Sequence, residues 1–177
     1  MATVSYERDA DRSLIADRKV AILGCGSQGH AHALNLLESG VDVRVGLREG
    51  SSSRAKAESA GLAVTDLASA AAEADLIMML LPDTDIGPAY EEFVAPNLND
   101  GDALFFAHGF NVRFGYVKAP EGVDVAMVAP KGPGHLVRRT YTEGGGVPCL
   151  IAAAQDASGS ARELALAYAD AIGGTRA

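Results

Sequence analysis

The residues with the clearest chemical use form a glycine-rich turn, Gly-Cys-Gly-Ser-Gln-Gly, at positions 24–29. An apolar run at 20–23 precedes the turn and an amphipathic stretch follows it, so the order is strand, turn, helix. In this context the G-x-G-x-x-G spacing is typical of dinucleotide binding. Gly24 permits the tight turn, Gly26 lets a pyrophosphate approach the backbone, and Gly29 lets the helix pack on the strand. Backbone N–H groups and the positive end of the helix dipole then face the phosphates.

Arg48 indicates which dinucleotide is bound. It follows a second apolar run and lies about 20 residues beyond the turn, where the 2′ position of the adenosine ribose is recognised. An acidic residue there would accept hydrogen bonds from ribose hydroxyls and favour NAD. Arg48, the serines at 51–53 and Arg54 instead supply donors suited to a phosphate dianion, so we expect NADP. Glu49 keeps NAD open, and a solvated basic loop is the alternative without a ligand.

Other candidate residues come directly after predicted strands, because ligands bind beyond the carboxyl ends of strands in parallel α/β sheets. His108 follows one strand and can transfer a proton or bind an anion near neutral pH. Lys131 follows another and could hold a carboxylate or phosphate, although either residue could equally be structural or solvated. Asp83 and Asp85 follow the predicted strand at 76–81. They could contact a cofactor, although aspartates at a turn usually cap the turn or are solvated.

The histidines and cysteines do not predict a metal site. His30 and His32 are two positions apart on a predicted helix and point to nearly opposite sides, so they cannot chelate one ion. Cys25 and Cys149 supply neither a disulfide framework nor a metal-ligand spacing. Cys25 lies within the glycine-rich turn, where its small side chain fits, and we expect no redox role for it.

The alternation of apolar runs and helical stretches predicts the fold. Strands are expected at 20–23, 43–47, 63–64, 76–81, 103–107, 124–128 and 148–153, and helices at 28–39, 53–60, 66–74, 87–94, 136–142 and 159–172. Continuous apolar runs such as 76–81 indicate strands that are buried on both faces. We therefore predict an α/β, Rossmann-type, doubly wound fold, in which helices cover both faces of a largely parallel sheet. A polar arm at residues 1–17 precedes it.

Composition excludes several classes of function. The 177 residues suffice for one domain with a substantial core. A net charge of −8 argues against nucleic acid or an anionic membrane as the partner. No apolar run approaches the roughly 20 residues of a membrane span, and the N-terminus lacks an apolar signal core. We therefore expect a cytoplasmic protein.

Five segments, taken together and in order, resemble ketol-acid reductoisomerase, an enzyme of valine and isoleucine synthesis. They are residues 24–36, 46–48, 106–111, 129–135 and 144–148. The similarity runs over nearly the whole chain, and the block Gly-Ser-Gln-Gly-His-Ala-His-Ala at 26–33 is specific. The resemblance implies that the whole enzyme moves an alkyl group in 2-acetolactate or its ethyl homologue and then reduces the new ketone with NADPH.

The resemblance also implies roles for individual residues. His108 would be the active-site histidine, and Lys131 would lie near the nicotinamide and substrate. The implied cofactor contacts are Gly24, Cys25, Gly26, Ser27, Gln28 and Gly29 at the pyrophosphate, Arg48, Ser51 and Ser53 at the 2′-phosphate, Asp83, Thr84, Asp85 and Ile86 after the fourth strand, and Gly134 from the opposite loop. Two residues depart from the family pattern, since Cys25 replaces an aromatic residue and Ile86 replaces a glutamine.

A third departure concerns the metal. The family carries two Mg²⁺ ions on carboxylates of a helical C-terminal domain, whereas we interpret residues 1–177 as the NADP(H)-binding domain without that domain. The implied partners are NADPH here, and Mg²⁺ and an acetohydroxy acid in the full enzyme; self-association stays open. Alkyl migration needs Lewis-acid polarisation, so the chain alone is expected to bind cofactor without turnover. The alternatives are a stand-alone NADP-binding sensor or scaffold, and the cofactor domain of another β-hydroxyacid-type reductase.

Overall fold

A computed structural model describes residues 3–176, which fold around one seven-stranded sheet. The strands are β1 (Lys19–Leu23), β2 (Asp42–Gly46), β3 (Ala63–Thr65), β4 (Leu76–Met79), β5 (Ala103–Phe106), β6 (Asp124–Pro130) and β7 (Cys149–Gln155). Their spatial order is β3-β2-β1-β4-β5-β6-β7, and neighbouring strands are parallel except for the antiparallel pair β6 and β7. The strand order reverses between β1 and β4, which is where a doubly wound sheet opens a ligand crevice. The predicted doubly wound, largely parallel fold is confirmed.

Helices cover both faces of the sheet. They are α1 (Ser13–Ala16), α2 (Ser27–Glu38), α3 (Arg54–Ser59), α4 (Leu67–Glu73), α5 (Asp83–Ala89), α6 (Phe110–Arg113), α7 (Gly134–Thr142) and α8 (Ala161–Ala171). One face packs against α2, α3 and α8, and the other packs against α4 and α5. Within residues 3–176, none of the helices combines the length and apolar character needed to cross a membrane.

The strand β1 illustrates why the apolar runs predicted the sheet correctly. Successive side chains of a strand point to opposite faces. Val20 and Ile22 accordingly pack into the core under α2 and α8, whereas Ala21 and Leu23 pack into the core under α4 and α5. All four are fully buried. A strand with helices on both sides must therefore be apolar at every position, not at alternate ones.

Helix α5 begins earlier than the sequence pattern predicted. It starts at Asp83 instead of residue 87, and both Asp83 and Asp85 lie in its first turn. Acidic side chains are favourable there because they face the positive end of the helix dipole. Pro88 lies inside the helix and has no backbone N–H to donate, and the segment Tyr90–Val94 that follows is π-helical.

The predicted polar arm is anchored to the body of the domain in the part that is described. Ile15 of the short helix α1 is buried in the core. Arg12 donates to the carboxylate of Asp170 on α8, which is itself buried and also accepts from the hydroxyl of Thr175. Residues 1 and 2 of the predicted arm lie outside the described residues. The four-residue helices α1 and α6 are too short to show a periodic pattern and were not predicted.

A buried polar pair connects α2 to α8. His32 is fully buried, and its Nδ1 lies 2.9 Å from the hydroxyl oxygen of Tyr168. Burial lowers the pKa of His32 to about 3, so the imidazole is neutral in the folded protein. Burial also raises the pKa of Tyr168, which keeps the hydroxyl protonated. His32 is therefore a core residue.

This burial predicts that acid destabilises the fold. The pKa of His32 falls from 6.5 to about 3 on folding, so the unfolded chain binds a proton as the pH drops below 6.5 while the native chain does not. The unfolding free energy then decreases on acidification, by at most about 1.4 kcal/mol per pH unit in this window. His30, whose pKa is also lowered, adds in the same direction.

Urea unfolding of the chain at pH 7 and pH 5 checks this expectation. His32→Asn should reduce the difference in unfolding free energy between the two pH values, because the variant has no buried imidazole. His135→Gln is the matched control, since His135 is an exposed histidine on α7. An undiminished difference in His32→Asn would contradict the assignment.

Candidate functional site

A cleft of about 430 Å³ opens at the carboxyl ends of β1 and β4, at the point where the strand order reverses. Three chain segments form its walls: the glycine-rich turn after β1, the loop after β2, and the segment after β4. The lining residues are Gly24, Cys25, Gly26, Ser27, Gln28, Leu47, Arg48, Ser51, Leu80, Leu81, Pro82 and Asp85. The structure thus brings the glycine-rich turn together with the arginine and serine that the sequence placed at the ribose end.

The three glycines of the turn face different surroundings. Gly24 has φ +98°, and a Cβ atom there would lie 2.6 Å from the carbonyl oxygen of Leu80. A Cβ atom on Gly29 would lie 2.1 Å from the carbonyl oxygen of Gly24. A Cβ atom on Gly26 would meet no described protein atom within 4 Å. The first and third glycines therefore let α2 approach the strands, while Gly26 borders open space in the cleft.

The first turn of α2 leaves hydrogen-bond donors free toward this space. No side chain caps the helix at Gly26, and its first turn contains no acidic residue. Among residues 3–176, no acceptor is found for the backbone N–H groups of Ser27, Gln28 and Gly29. Unpaired N–H groups at the positive end of a helix form an anion-binding site. This end of the cleft therefore fits a phosphate group.

The wall of the cleft that follows β2 contains Arg48 and Ser51, which the sequence predicts to recognise the ribose 2′ position. The guanidinium of Arg48 lies 3.6 Å from the carboxylate of Asp85 on the opposite wall, and both side chains are about half exposed. The backbone N–H of Ser51 donates to the carbonyl oxygen of Arg48, which closes a turn in the loop after β2. The Oγ of Ser51 accepts from the backbone N–H of Ser53, so the two serines are adjacent. Ser53 itself is not a lining residue of the cleft.

The loop after β6 packs against the start of α2. Gln28 donates from Nε2 to the carbonyl oxygen of Gly132 at 2.9 Å. A Cβ atom on Gly134 would lie 2.1 Å from the carbonyl oxygen of Ser27. Gly134 is therefore buried against the backbone of the turn and does not line the cleft. Its position requires glycine because two helices, α2 and α7, begin side by side.

Of the four residues predicted after the fourth strand, the structure places one on the cleft. Asp85 lines it, whereas Asp83 and Thr84 are exposed outside it. Ile86 is buried in the core under α4 and α5. The reason is that these residues belong to α5, where successive side chains point in different directions around the helix. The sequence predicts a turn flanked by Asp83 and Asp85, whereas the structure has the first turn of α5 there.

His108 and Lys131 follow the neighbouring strands β5 and β6, at the same edge of the sheet as the cleft but outside it. Both are exposed. The backbone N–H of Phe110 donates to Nδ1 of His108 at 3.2 Å, which leaves Nε2 directed elsewhere. The backbone N–H of Lys131 donates to the carbonyl oxygen of Pro148 at 2.8 Å. Both side chains are therefore held on ordered backbone and are free to meet a ligand.

Asn111 supports the site and was not predicted. It is buried, and its Nδ2 donates to the carbonyl oxygen of Asp83 at 3.1 Å. The backbone carbonyl oxygen of Asn111 accepts from the backbone N–H of Val117. Asn111 thus fixes the start of α5, which carries Asp85. The only signal in the sequence was its place within the segment 106–111.

The apolar wall of Leu47, Leu80 and Leu81 was also missed, because leucine at a strand end has no distinctive pattern.

The histidines of α2 point apart. His30 lies beside the thiol of Cys25, 4.0 Å from Nδ1 to Sγ, whereas His32 is in the core. Burial raises the pKa of the Cys25 thiol, which keeps the thiol protonated. Among the described residues, no group of three or more His, Cys, Asp or Glu side chains has an arrangement that could hold a metal ion.

Sequence comparison identifies close relatives. Residues 14–177 match the family described as acetohydroxy acid isomeroreductase, NADPH-binding domain. A ketol-acid reductoisomerase (NADP(+)) of Kocuria rhizophila is 65% identical over 177 residues, which are 100% of this chain and 52% of that protein. The enzyme of the same name from Saccharopolyspora erythraea is 65% identical over 178 residues, covering 100% of this chain and 54% of that protein. The chain thus spans about half the length of these curated relatives.

Comparison with solved structures also finds a ketol-acid reductoisomerase. An NADH-preferring ketol-acid reductoisomerase from an uncultured archaeon superposes with a TM-score of 0.95 at 41% identity. The superposition covers 99% of this chain and 54% of that one. The same fold therefore occurs in a relative whose name records a preference for NADH.

The surroundings of Gly26 and Gly29 predict different effects on stability when each is replaced by alanine. Gly26→Ala should leave the melting temperature nearly unchanged, because the added methyl group meets open space at an ordinary backbone conformation. Gly29→Ala should destabilise the protein by about 1–3 kcal/mol or more, because the methyl group overlaps the backbone of Gly24. Thermal unfolding followed by circular dichroism compares the two. Equal melting temperatures would refute the close packing of α2 on β1.

Proposed function

Because the chain belongs to the acetohydroxy acid isomeroreductase (ketol-acid reductoisomerase) family, as its NADPH-binding domain, we propose that the cleft between β1 and β4 binds NADP(H). The observation that carries the proposal is the pairing of two anion-binding ends in one cleft. Unpaired N–H groups of α2 lie at one end, and Arg48 with Ser51 lies at the other. A nucleotide with a pyrophosphate and a separate 2′-phosphate matches both.

Each wall of the cleft has a proposed task. The N–H groups of Ser27 and Gln28 bind the pyrophosphate, and Gly26 leaves room for its close approach. The leucines at 47, 80 and 81 provide an apolar surface for a flat base. Arg48 and Ser51 donate to the 2′-phosphate, and Ser53, which does not line the cleft, holds Ser51 through the hydrogen bond from its backbone N–H to the Oγ of Ser51. Of the remaining residues of the predicted set, Cys25 lines the cleft, Ile86 packs in the core, and Asp83 and Thr84 are exposed outside the cleft. The glycines of the set allow close backbone packing; they are Gly24, Gly29 and Gly134.

In the whole protein, we propose the ketol-acid reductoisomerase reaction on 2-acetolactate or its ethyl homologue. Bound NADPH would supply the hydride that reduces the ketone. His108 and Lys131 follow β5 and β6 at the same edge of the sheet as the cleft, so they would meet a substrate placed beyond the nicotinamide end. Because Nδ1 accepts from the backbone N–H of Phe110, neutral His108 carries its proton on Nε2, from which it can donate a hydrogen bond to a substrate oxygen. Lys131 can bind a carboxylate with its ammonium group.

The magnesium ions that the family uses do not fit the described residues. Hard divalent cations need several converging oxygen ligands. Residues 3–176 contain no such group of carboxylates. We therefore assign no step of the reaction to a metal bound by these residues, and the proposal for this chain is limited to binding the cofactor and presenting His108 and Lys131.

The first test concerns cofactor preference. Arg48→Ala should weaken NADPH binding by roughly 1.5–3 kcal/mol, the usual scale of a hydrogen bond to a charged group, and should change NADH binding little. Arg162→Ala is the matched control, because Arg162 is an exposed arginine on α8. Calorimetric titration measures both cofactors. An equal loss for NADPH and NADH would contradict the placement of Arg48 at the 2′-phosphate.

The second test concerns turnover. The 177-residue chain with NADPH, Mg²⁺ and 2-acetolactate should show no substrate-dependent oxidation of NADPH, although it binds the cofactor. The physical reason is that alkyl migration requires a Lewis acid, for which residues 3–176 offer no ligand group. NADPH absorbance follows the reaction. Turnover on the order of 1 s⁻¹, an ordinary enzymatic rate, would show that these residues hold a metal site after all.

A further inference from the structure

Asp85 occupies an unexpected place in the cleft. It comes from the first turn of α5, after β4, yet its carboxylate lies 3.6 Å from the guanidinium of Arg48, which follows β2. Both residues line the cleft, from opposite walls. Among residues 3–176, Asp85 is the only acidic residue within ion-pair distance of Arg48. Arg48, to which we assign the 2′-phosphate, therefore already faces a carboxylate of the protein, that of Asp85.

The ion pair is built so that a ligand could replace it. Its distance is longer than a good hydrogen bond, and both side chains are about half exposed. Pairs of this kind contribute little to stability, because water and salt screen them. Asp85 also lies at the positive end of α5, which favours its charge whether or not Arg48 is paired with it. Arg48 can therefore exchange the carboxylate for another anion at small cost.

We propose that Asp85 is a specificity-determining residue that competes with the 2′-phosphate of NADP(H) for Arg48 and so narrows the preference for NADP(H) over NAD(H). The inference rests on the proposed function of the cleft. To pair with Arg48, a 2′-phosphate must first displace the carboxylate of Asp85 from the guanidinium. A 2′-hydroxyl carries no charge, so NAD(H) leaves the Arg48–Asp85 pair in place.

The comparison of folds supports a determinant of this local kind. The NADH-preferring archaeal enzyme shares the backbone of the domain at a TM-score of 0.95. The two chains therefore share the arrangement of strands and helices and differ in their side chains, at 41% sequence identity. An acidic residue that faces the phosphate-recognising arginine is the type of side chain that shifts such a preference, because it opposes a dianion more than a neutral hydroxyl.

Asp85→Asn tests the proposal, because it removes the charge and keeps the size of the side chain. The dissociation constants of NADPH and NADH are measured by fluorescence titration of the 177-residue chain. We expect NADPH to bind roughly three- to tenfold more tightly, a range set by a screened charge interaction, and NADH to change less than about twofold. Glu92→Gln is the matched control, since it removes an exposed carboxylate from the segment that continues α5 without touching the cleft.

The double variant Arg48→Ala/Asp85→Asn shows whether the effect passes through Arg48. If Asp85 competes for the guanidinium, the gain in NADPH affinity from Asp85→Asn should fall below about twofold when Arg48 is absent. A gain that persists without Arg48, a gain shared equally by NADH, or no gain at all would each overturn the proposal. A wild-type chain that binds neither nucleotide would instead refute the cofactor site itself, and the inference with it.

Discussion

The close approach of α2 to the end of β1 is the constraint on which the rest of the structure depends. The backbone of Gly29 lies so near the carbonyl oxygen of Gly24 that no side chain fits between them. This contact brings the free N–H groups of the helix to the carboxyl end of the sheet. It also places the start of α2 against the loop after β6, where Gly134 meets Ser27 in the same way. Small residues thus bring two helix N-termini to one edge of the sheet.

Buried polar contacts then fix α2 along its length. Asn35 is fully buried and donates to carbonyl oxygens at the end of α8 and within α7. His32 meets Tyr168 of α8 in the core. A buried polar group that loses its hydrogen-bond partner destabilises the fold, so these contacts specify one orientation of the helix. The position of the phosphate-binding turn is therefore determined by residues that do not line the cleft.

Electrostatics divides the cleft into two regions of different character. The end at α2 offers backbone donors whose positions are rigid, and it can bind the pyrophosphate of either dinucleotide. The end that we propose recognises the ribose is formed by two half-exposed side chains, Arg48 and Asp85, whose interaction is screened by water. Under the proposed function, affinity common to both cofactors would arise from the backbone donors of α2, and the difference between them from Arg48 and Asp85. A preference encoded in this way can change without a change of fold.

The sequence by itself determined the strands, the doubly wound class and the place of the glycine-rich turn, because these depend on local patterns. Burial on both faces makes a strand apolar throughout, and the three glycines mark a turn whatever surrounds it. It could not decide which of Asp83, Thr84, Asp85 and Ile86 faces the cleft, since that depends on where α5 begins and on its rotation. Nor could it pair Asp85 with Arg48 or His32 with Tyr168, because residues far apart in the chain meet only once strand order and helix packing are fixed.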